Sequence, residues 1–214
     1  MKSKQYLKIA EHYENCLRKF GDNHRGVDWP NAEDARLRYD IMLGIIPSGK
    51  NCTLLDFGCG TAHLYDHILK RNYNNIKYSG LDISEEFIRI CKTKYPDQQF
   101  DCIDVLLQPE YVKQYDYIIL NGIFTEKLDL SYSEMFEFFS ILVKTIFSKS
   151  KFGIAFNVMT KHVDWERKDL FHLPFDELAT FLKNEVSKNF IIRNDYGLFE
   201  YTVYLFKEPN SWHV

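Results

Sequence analysis

The sequence lacks an excess of either charge. It has 27 Lys and Arg against 30 Asp and Glu, which gives a formal net charge of −3 over 214 residues. A dedicated nucleic-acid surface usually shows as clustered Lys and Arg on a basic domain. We therefore expect no nucleic-acid partner.

Long apolar runs are also missing. No stretch approaches the roughly 18 apolar residues that a membrane-spanning helix needs. The first five residues, MKSKQ, turn polar at once and lack the apolar centre of a signal peptide. The sequence thus predicts no membrane association and a cytoplasmic location.

Paired cysteine motifs are absent as well. The cysteines are odd in number, scattered and never spaced as CxxC, so they fit neither a disulfide framework nor a zinc site. We expect reduced thiols and no bound metal. The five are Cys16, Cys52, Cys59, Cys91 and Cys102.

Apolar and aromatic residues are plentiful. Hydrophobic residues make up 45% of the chain and aromatic residues 16%, which argues against disorder because such surface demands burial. The length exceeds a typical domain of roughly 100–200 residues only slightly. The composition therefore predicts one large folded domain, or one domain with a short extension.

The first 50 residues read as helices. Residues 4–20 place apolar side chains on one side of a helix, and a polar, glycine-bearing stretch follows at 21–26. Asn31 can cap a second helix, which Pro47 would stop. We expect an N-terminal helical extension over residues 1–50, followed by a domain over 51–214.

Strand and helix signals alternate from residue 52 onward. This alternation predicts a parallel sheet with helices on both faces. Two last strands, at 189–193 and 199–206, are joined by only about five residues, so they are expected to be antiparallel neighbours. The earlier strand signals are at 53–57, 77–83, 99–105, 115–120 and 152–158, and the helix signals between them are at 62–71, 85–94 and 131–147.

A Gly-x-Gly turn follows the first strand, at Gly58 and Gly60. Glycines there permit positive φ and let a ligand approach the backbone. A dinucleotide fingerprint would need a third glycine where this chain has His63, which disfavours an NAD enzyme, and no P-loop occurs. Asp56, two residues before the turn, could meet a cationic or amine-bearing ligand.

Four segments, in order, resemble the motifs of the class I S-adenosylmethionine-dependent methyltransferases. The one departure in the first motif is Ala62, where many members carry a third glycine. The resemblance covers about residues 52–207 and implies a Rossmann-like, seven-stranded, mostly parallel sheet with a C-terminal antiparallel hairpin. The segments are LDFGCGT at 55–61, GLDIS at 80–84, FDCIDV at 100–105 and YDYIILNGIF at 115–124.

The resemblance implies a set of S-adenosylmethionine-binding residues. It assigns the ribose hydroxyls to Asp82, the adenine amino group to Asp104, and the neighbourhood of the sulfonium to Asn121. The N-terminal helices could fold over the cofactor as a lid, with Arg38 pairing with its carboxylate and Tyr6 or Tyr13 lining the acceptor pocket, or could simply pack on the sheet edge. The full set is Trp29, Arg38, Asp56, Gly58, Cys59, Gly60, Thr61, Asp82, Ile83, Asp104, Val105 and Asn121.

The absence of a proline pair narrows the range of possible methyl acceptors. Methyltransferases that act on exocyclic amino groups of DNA bases carry Pro-Pro where this chain has Gly122-Ile123. A looser resemblance to small bacterial methyltransferases of polysaccharide or specialised-metabolite pathways favours an oxygen or nitrogen of a small polar metabolite. His162, His172 and Glu126 are the candidate bases, in falling order of preference, and a non-catalytic cofactor-binding subunit is the alternative.

Overall fold

The computed structural model describes residues 4–209, and its centre is one seven-stranded sheet in the order β3-β2-β1-β4-β5-β7-β6. The strands are β1 (Cys52–Phe57), β2 (Ile76–Asp82), β3 (Gln99–Cys102), β4 (Tyr115–Phe124), β5 (Ser150–Met159), β6 (Phe190–Arg193) and β7 (Glu200–Phe206). The helices are α1 (Leu7–Phe20), α2 (Ala32–Leu43), α3 (His63–Lys70), α4 (Glu85–Lys94), α5 (Tyr132–Lys149) and α6 (Phe175–Glu185), with a short helical turn at His24–Val27.

The pairing of the strands confirms the predicted fold class. β1 to β5 pair in parallel, whereas β7 runs antiparallel to both β5 and β6. The chain order reverses between β1 and β4, and ligands of open α/β sheets bind outside the carboxyl ends of the strands at such a switch point. The fold therefore directs attention to the ends of β1, β2 and β4.

The sheet has an apolar core on each face. Leu55 and Phe57 of β1 point into the core shared with α1, α5 and α6, while Leu54 points into the core shared with α2, α3 and α4. This alternation is the two-residue period of a strand. Both faces are covered by helices, as the sequence predicts.

Several helices begin at the caps that their sequences offer. The side chain of Asn31 accepts hydrogen bonds from the backbone N–H groups of Glu33 and Asp34 at the start of α2. Ser131 and Glu134 form a capping box before α5, so two otherwise unpaired backbone donors are satisfied there.

Two strands differ from the sequence-based expectation at their carboxyl ends. β3 stops at Cys102, which places Asp104 in the loop that follows. β4 continues to Phe124, with a register shift between Leu120 and Phe124. The shift is stabilised locally because Gly122, at φ 83°, donates its N–H to Asn157 Oδ1 at 2.8 Å.

Among residues 4–209, no helix is both long enough and apolar enough to cross a membrane.

Candidate active site

A cleft opens at the switch point, where the ends of β1, β2 and β4 meet the loop after β3. Its free space is about 1120 Å³, including open solvent at its mouth. It brings together ten of the residues selected from sequence: Trp29, Asp56, Gly58, Cys59, Gly60, Asp82, Ile83, Asp104, Val105 and Asn121.

The turn after β1 packs tightly against its surroundings. Gly58 has φ 72°, and a Cβ placed on it would lie 2.1 Å from Cδ1 of Ile123. Glycine adopts this positive φ without strain and leaves room for the Ile123 side chain. Ala62, which stands where the family often has glycine, also adopts a left-handed conformation at φ 64°.

The carboxylate of Asp82 is held by backbone donors at the end of β2. It accepts the N–H of Gly60 at 2.9 Å on one oxygen and the N–H of Ser84 at 2.9 Å on the other. Burial raises the pKa of Asp82 to about 6, and the hydrogen bonds from Ser84 and Gly60 oppose the rise. Each oxygen keeps a lone pair, so the pair can still accept two donors from a ligand.

Asp56 lies deeper in the cleft wall. Burial raises its pKa to about 7, although Tyr78 donates a hydrogen bond to its Oδ2 at 2.8 Å and favours the charged form. A buried carboxyl with no cation beside it is the kind of group that a positively charged ligand can ionise.

Helix α1 covers the cleft. Tyr6 donates its hydroxyl to Asp104 Oδ2 at 2.7 Å, and Tyr13 donates to the carbonyl oxygen of Gly122 at 3.1 Å. Ser84 also donates to Glu14 Oε1 at 2.6 Å. The three contacts attach one helix to the ends of β2, β3 and β4, so the N-terminal helix lies over the site.

A polar network behind the cleft was missed by sequence reasoning. Arg38 Nε contacts both oxygens of Glu200 at 3.0 and 2.9 Å, and Asn157 Nδ2 donates to Glu200 Oε1 at 3.1 Å. The guanidinium of Arg38 also stacks on Trp29, 4.1 Å from the ring centroid. No local pattern signals it, because Arg38 and Glu200 are 162 residues apart in the chain.

Two predicted cofactor residues lie outside the cleft lining. Thr61 is fully buried, and its hydroxyl is 3.0 Å from Nε2 of His63. Arg38 lies behind Trp29, yet its Nη1 is buried and has no partner among the described residues. Oδ1 of Asn121, in the cleft wall, is likewise buried and unpaired.

A family model described as a methyltransferase domain matches residues 55–136, which include the cleft residues of β1, β2 and β4. The chain thus contains a methyltransferase domain, and it is similar to the class I S-adenosylmethionine-dependent methyltransferases.

One curated protein and several solved structures resemble this chain along most of its length. A Mycobacterium tuberculosis protein with a provisional methyltransferase name is 26% identical over 163 residues, which are 75% of this chain and 96% of that protein. The magnesium protoporphyrin IX methyltransferase of Synechocystis PCC 6803, with bound SAH, shares the fold at 13% identity. Its TM-score is 0.63, with 94% of this chain and 100% of that chain covered. An S-adenosylmethionine-dependent methyltransferase of Clostridium acetobutylicum is 12% identical, with a TM-score of 0.56 and coverage of 96% and 99%.

The two candidate base histidines of this methyltransferase are not among the residues that line the cleft. His162 is exposed, and its ring lies 5.0 Å from that of Phe175. His172 is buried, and its Nδ1 is 2.6 Å from the carbonyl oxygen of Thr160, so Nδ1 carries the proton. Its Nε2 has no partner among the described residues.

Glu126 lies just beyond the end of β4. Burial, and then the charge of Asp28, raises its pKa to about 7. The segment around Glu126 is tied to the loop after β5, since Phe171 N–H donates to Thr125 O at 2.8 Å and Leu128 N–H donates to Asp169 O at 2.9 Å. These backbone hydrogen bonds hold the two loops together beyond the carboxyl ends of β4 and β5.

Proposed function

We propose that this methyltransferase transfers the methyl group to an oxygen or nitrogen of a small polar metabolite, such as a sugar or a polysaccharide precursor. The main support is the cover over the cleft: α1 attaches to Asp104 and Gly122, and Trp29 lies against Gly122. A cleft closed by a helix admits a small acceptor more readily than a polymer. The net charge of −3 also gives no electrostatic reason for a nucleic-acid acceptor.

The residues of the cleft fit the cofactor chemically. S-adenosylmethionine supplies, when bound, an activated methyl group on a sulfonium. Asp82 would accept the ribose hydroxyls, Asp104 the adenine amino group, and Asp56 would face the methionine ammonium. The unpaired Nη1 of Arg38 is a donor for the methionine carboxylate.

The remaining predicted residues would shape the cofactor site. Gly58, Cys59 and Gly60 form the turn that lets the backbone approach the ligand. The others would pack against the ligand or support its pocket: Trp29, Thr61, Ile83, Val105 and Asn121.

Orientation of the acceptor would carry most of the rate enhancement. Holding two reactants in line can contribute roughly 7–11 kcal/mol to barrier reduction. Of the three candidate bases, Glu126 has the most favourable position, since it is close to the end of β4 and to the hydroxyl of Tyr13, which lines the cleft. It would take the proton that the acceptor oxygen or nitrogen loses. His162 and His172 remain alternatives.

The thiols support a reducing location. All five cysteines are free, and four of them are buried. We place the enzyme in the cytoplasm for this reason.

The acceptor class can be tested with methyl-labelled S-adenosylmethionine. Purified enzyme is incubated with three fractions of a bacterial lysate: a low-mass filtrate, nucleic acid and protein. Label is expected to enter the low-mass fraction, and the product is then identified by mass spectrometry. Label that enters only nucleic acid or only protein would refute the proposed acceptor class. A variant with Asp82→Ala serves as the control for enzyme-dependent transfer, because it removes the ribose-binding carboxylate.

A further inference from the structure

Three side chains with metal-binding atoms converge between α1 and the turn at His24–Val27. His12 Nε2 lies 2.8 Å from Asp28 Oδ2 and 3.8 Å from Cys16 Sγ. The donor atoms of the three residues all lie within 4.8 Å of one another. The set is outside the cofactor residues described above, and the methyl-transfer chemistry does not use it.

The local backbone accounts for this convergence. His12 and Cys16 are four residues apart on α1, so they project from the same face of the helix. Asp28 ends the short turn in a left-handed conformation, with φ 60° and ψ 27°, and its N–H donates to the carbonyl oxygen of Arg25 at 3.1 Å. This conformation is uncommon for a residue other than glycine, and in it the Asp28 carboxylate reaches His12 on α1.

The spacing of the donors is close to that around a tetrahedral cation. Zinc binds nitrogen, oxygen and sulfur at roughly 2.0–2.3 Å, which sets the ligand atoms about 3.3–3.8 Å apart. The His12–Asp28 distance of 2.8 Å is a little shorter and the His12–Cys16 distance of 3.8 Å is at the upper end. Small side-chain movements would therefore accommodate an ion between the three atoms.

Negative charge gathers around the same point. Glu126 is only 8% exposed, and its carboxyl interacts electrostatically with that of Asp28. Arg167, a cation near Glu126, is already paired with Asp169. A divalent cation would offset this charge.

We propose that His12, Cys16 and Asp28 bind one divalent transition-metal ion of the zinc type, with a fourth coordination position left open. Imidazole, thiolate and carboxylate together select a borderline ion such as Zn²⁺ over Mg²⁺ or Ca²⁺, which prefer oxygen ligands alone. Bound there, the ion would fasten α1 to the segment that carries Trp29, beside the cofactor cleft. The cysteine spacing gives no sign of this site, because the two ligands on α1 are spaced as His-x-x-x-Cys at 12–16 and not as CxxC.

Cobalt titration tests the proposal without reference to catalysis. Tag-free, full-length protein is stripped with a chelator under reducing conditions and titrated with Co²⁺, then with Zn²⁺. We expect one equivalent of Co²⁺ to produce the near-ultraviolet absorption of a thiolate–cobalt bond, and Zn²⁺ to abolish it. No such absorption, or a stoichiometry far from one, would overturn the site.

Variants locate the ion. Cys16→Ser should remove the thiolate absorption, while His12→Gln and Asp28→Asn should each weaken metal binding by at least about tenfold, the loss that even outer-shell changes cause. The matched control is Cys102→Ser, since Cys102 is exposed at the end of β3 and should leave the titration unchanged. His12 and Asp28 are half-buried, so their variants should stay folded, which circular dichroism checks. If His12→Gln and Asp28→Asn bind the metal as the wild type does, the three residues form a hydrogen-bonded cluster and no metal site.

Discussion

At the scale of single residues, the floor of the cleft depends on the missing side chain of Gly122. Its φ is 83°, and a Cβ there would lie 2.9 Å from Cζ2 of Trp29. Trp29 in turn carries the stacked guanidinium of Arg38. The absence of a side chain at Gly122 thus determines the position of the Trp29 ring and of the Arg38 guanidinium that stacks on it.

Gly122→Ala should therefore destabilise the protein and displace Trp29. Alanine at positive φ costs about 1–2 kcal/mol, and the clash with the Trp29 ring adds roughly 1–3 kcal/mol. Urea denaturation measures the loss of unfolding free energy, and titration calorimetry the accompanying loss of affinity for S-adenosylmethionine.

Gly197→Ala is the matched control for the backbone term. Gly197 has a similar φ of 75°, but a Cβ there would meet nothing within 4 Å. It should lose about 1–2 kcal/mol and keep its cofactor affinity. Equal losses of unfolding free energy in the two variants would show that the close approach of residue 122 to Trp29 does not affect stability.

At the scale of elements, α1 combines two roles. Ile9 and Leu17 are buried, and its tyrosines reach the ends of the strands below. Burial of apolar area holds the helix to the domain, whereas the hydroxyl contacts decide how closely it covers the cleft. A helix held in this way can open locally without unfolding the sheet.

Tyr6→Phe should loosen α1 in the unliganded protein. The variant keeps the stacked contact with Phe138, at 5.7 Å between ring centroids, but loses the hydrogen bond to Asp104. A hydrogen bond of this kind contributes about 1 kcal/mol, which corresponds to roughly fivefold faster hydrogen exchange in α1. Exchange measured by mass spectrometry on peptides of residues 4–20 reports it.

Tyr132→Phe provides the comparison for that experiment. Tyr132 donates to Glu177 Oε2 at 2.6 Å between α5 and α6, so it loses a similar bond far along the chain from α1. Exchange in residues 4–20 should stay at the wild-type rate. If both variants leave α1 unchanged, the Tyr6–Asp104 contact does not hold the helix down.

Most elements could be predicted from sequence, but some of their ends could not. Helix α4 spans Glu85–Lys94, as the sequence periodicity predicts, because helix periodicity and the cap at Ser84 are local properties. The extension of β4 to Phe124 depends on Asn157 of the neighbouring strand, which accepts the N–H of Gly122. A contact between separate strands leaves no signal within either one.

At the scale of the whole molecule, the buried carboxyl of Asp56 in the cleft lowers the stability of the unliganded protein at high pH. The folded chain raises the pKa of Asp56 to about 7 by burial, against an ordinary value of about 3.9 in the unfolded chain. The fold thus favours the neutral acid. The resulting stability is present below about pH 4 and is lost as the pH rises through about 7. A cationic ligand beside Asp56 would reverse this preference.

Asp56→Asn should stabilise the unliganded protein increasingly as the pH rises from about 4 to about 7. The neutral amide can still accept the hydroxyl of Tyr78 and avoids the buried charge. Thermal unfolding should show that the variant's gain in Tm over the wild type is small at pH 5 and larger at pH 8. The same variant should bind S-adenosylmethionine more weakly, which would make Asp56 a residue kept for binding at the expense of stability.

Asp116→Asn is the comparison variant, because the pKa of Asp116 is shifted in the opposite direction to that of Asp56. Burial alone would raise the pKa of Asp116, but hydrogen bonds from Thr53 and Lys151 outweigh it and hold the pKa below its ordinary value. Its contribution is present above the unfolded pKa, so the variant should be destabilised equally at pH 5 and pH 8. If the Asp56 variant also shows a constant difference, its carboxyl does not titrate in this range.

The sequence by itself determined the fold class, the order of the motifs and the residues at the strand ends, since apolar periodicity and glycine turns are written in neighbouring residues. Only the tertiary structure decided which polar atoms meet. Tyr6 and Asp104 are 98 residues apart, and Arg38 and Glu200 are 162 apart. Such pairs form only when helices and strands that are distant in sequence pack together. A short stretch of sequence therefore does not predict them. The proximity of Asp28 to His12 and Cys16 could not be predicted for the same reason, because it requires the chain to turn back on α1.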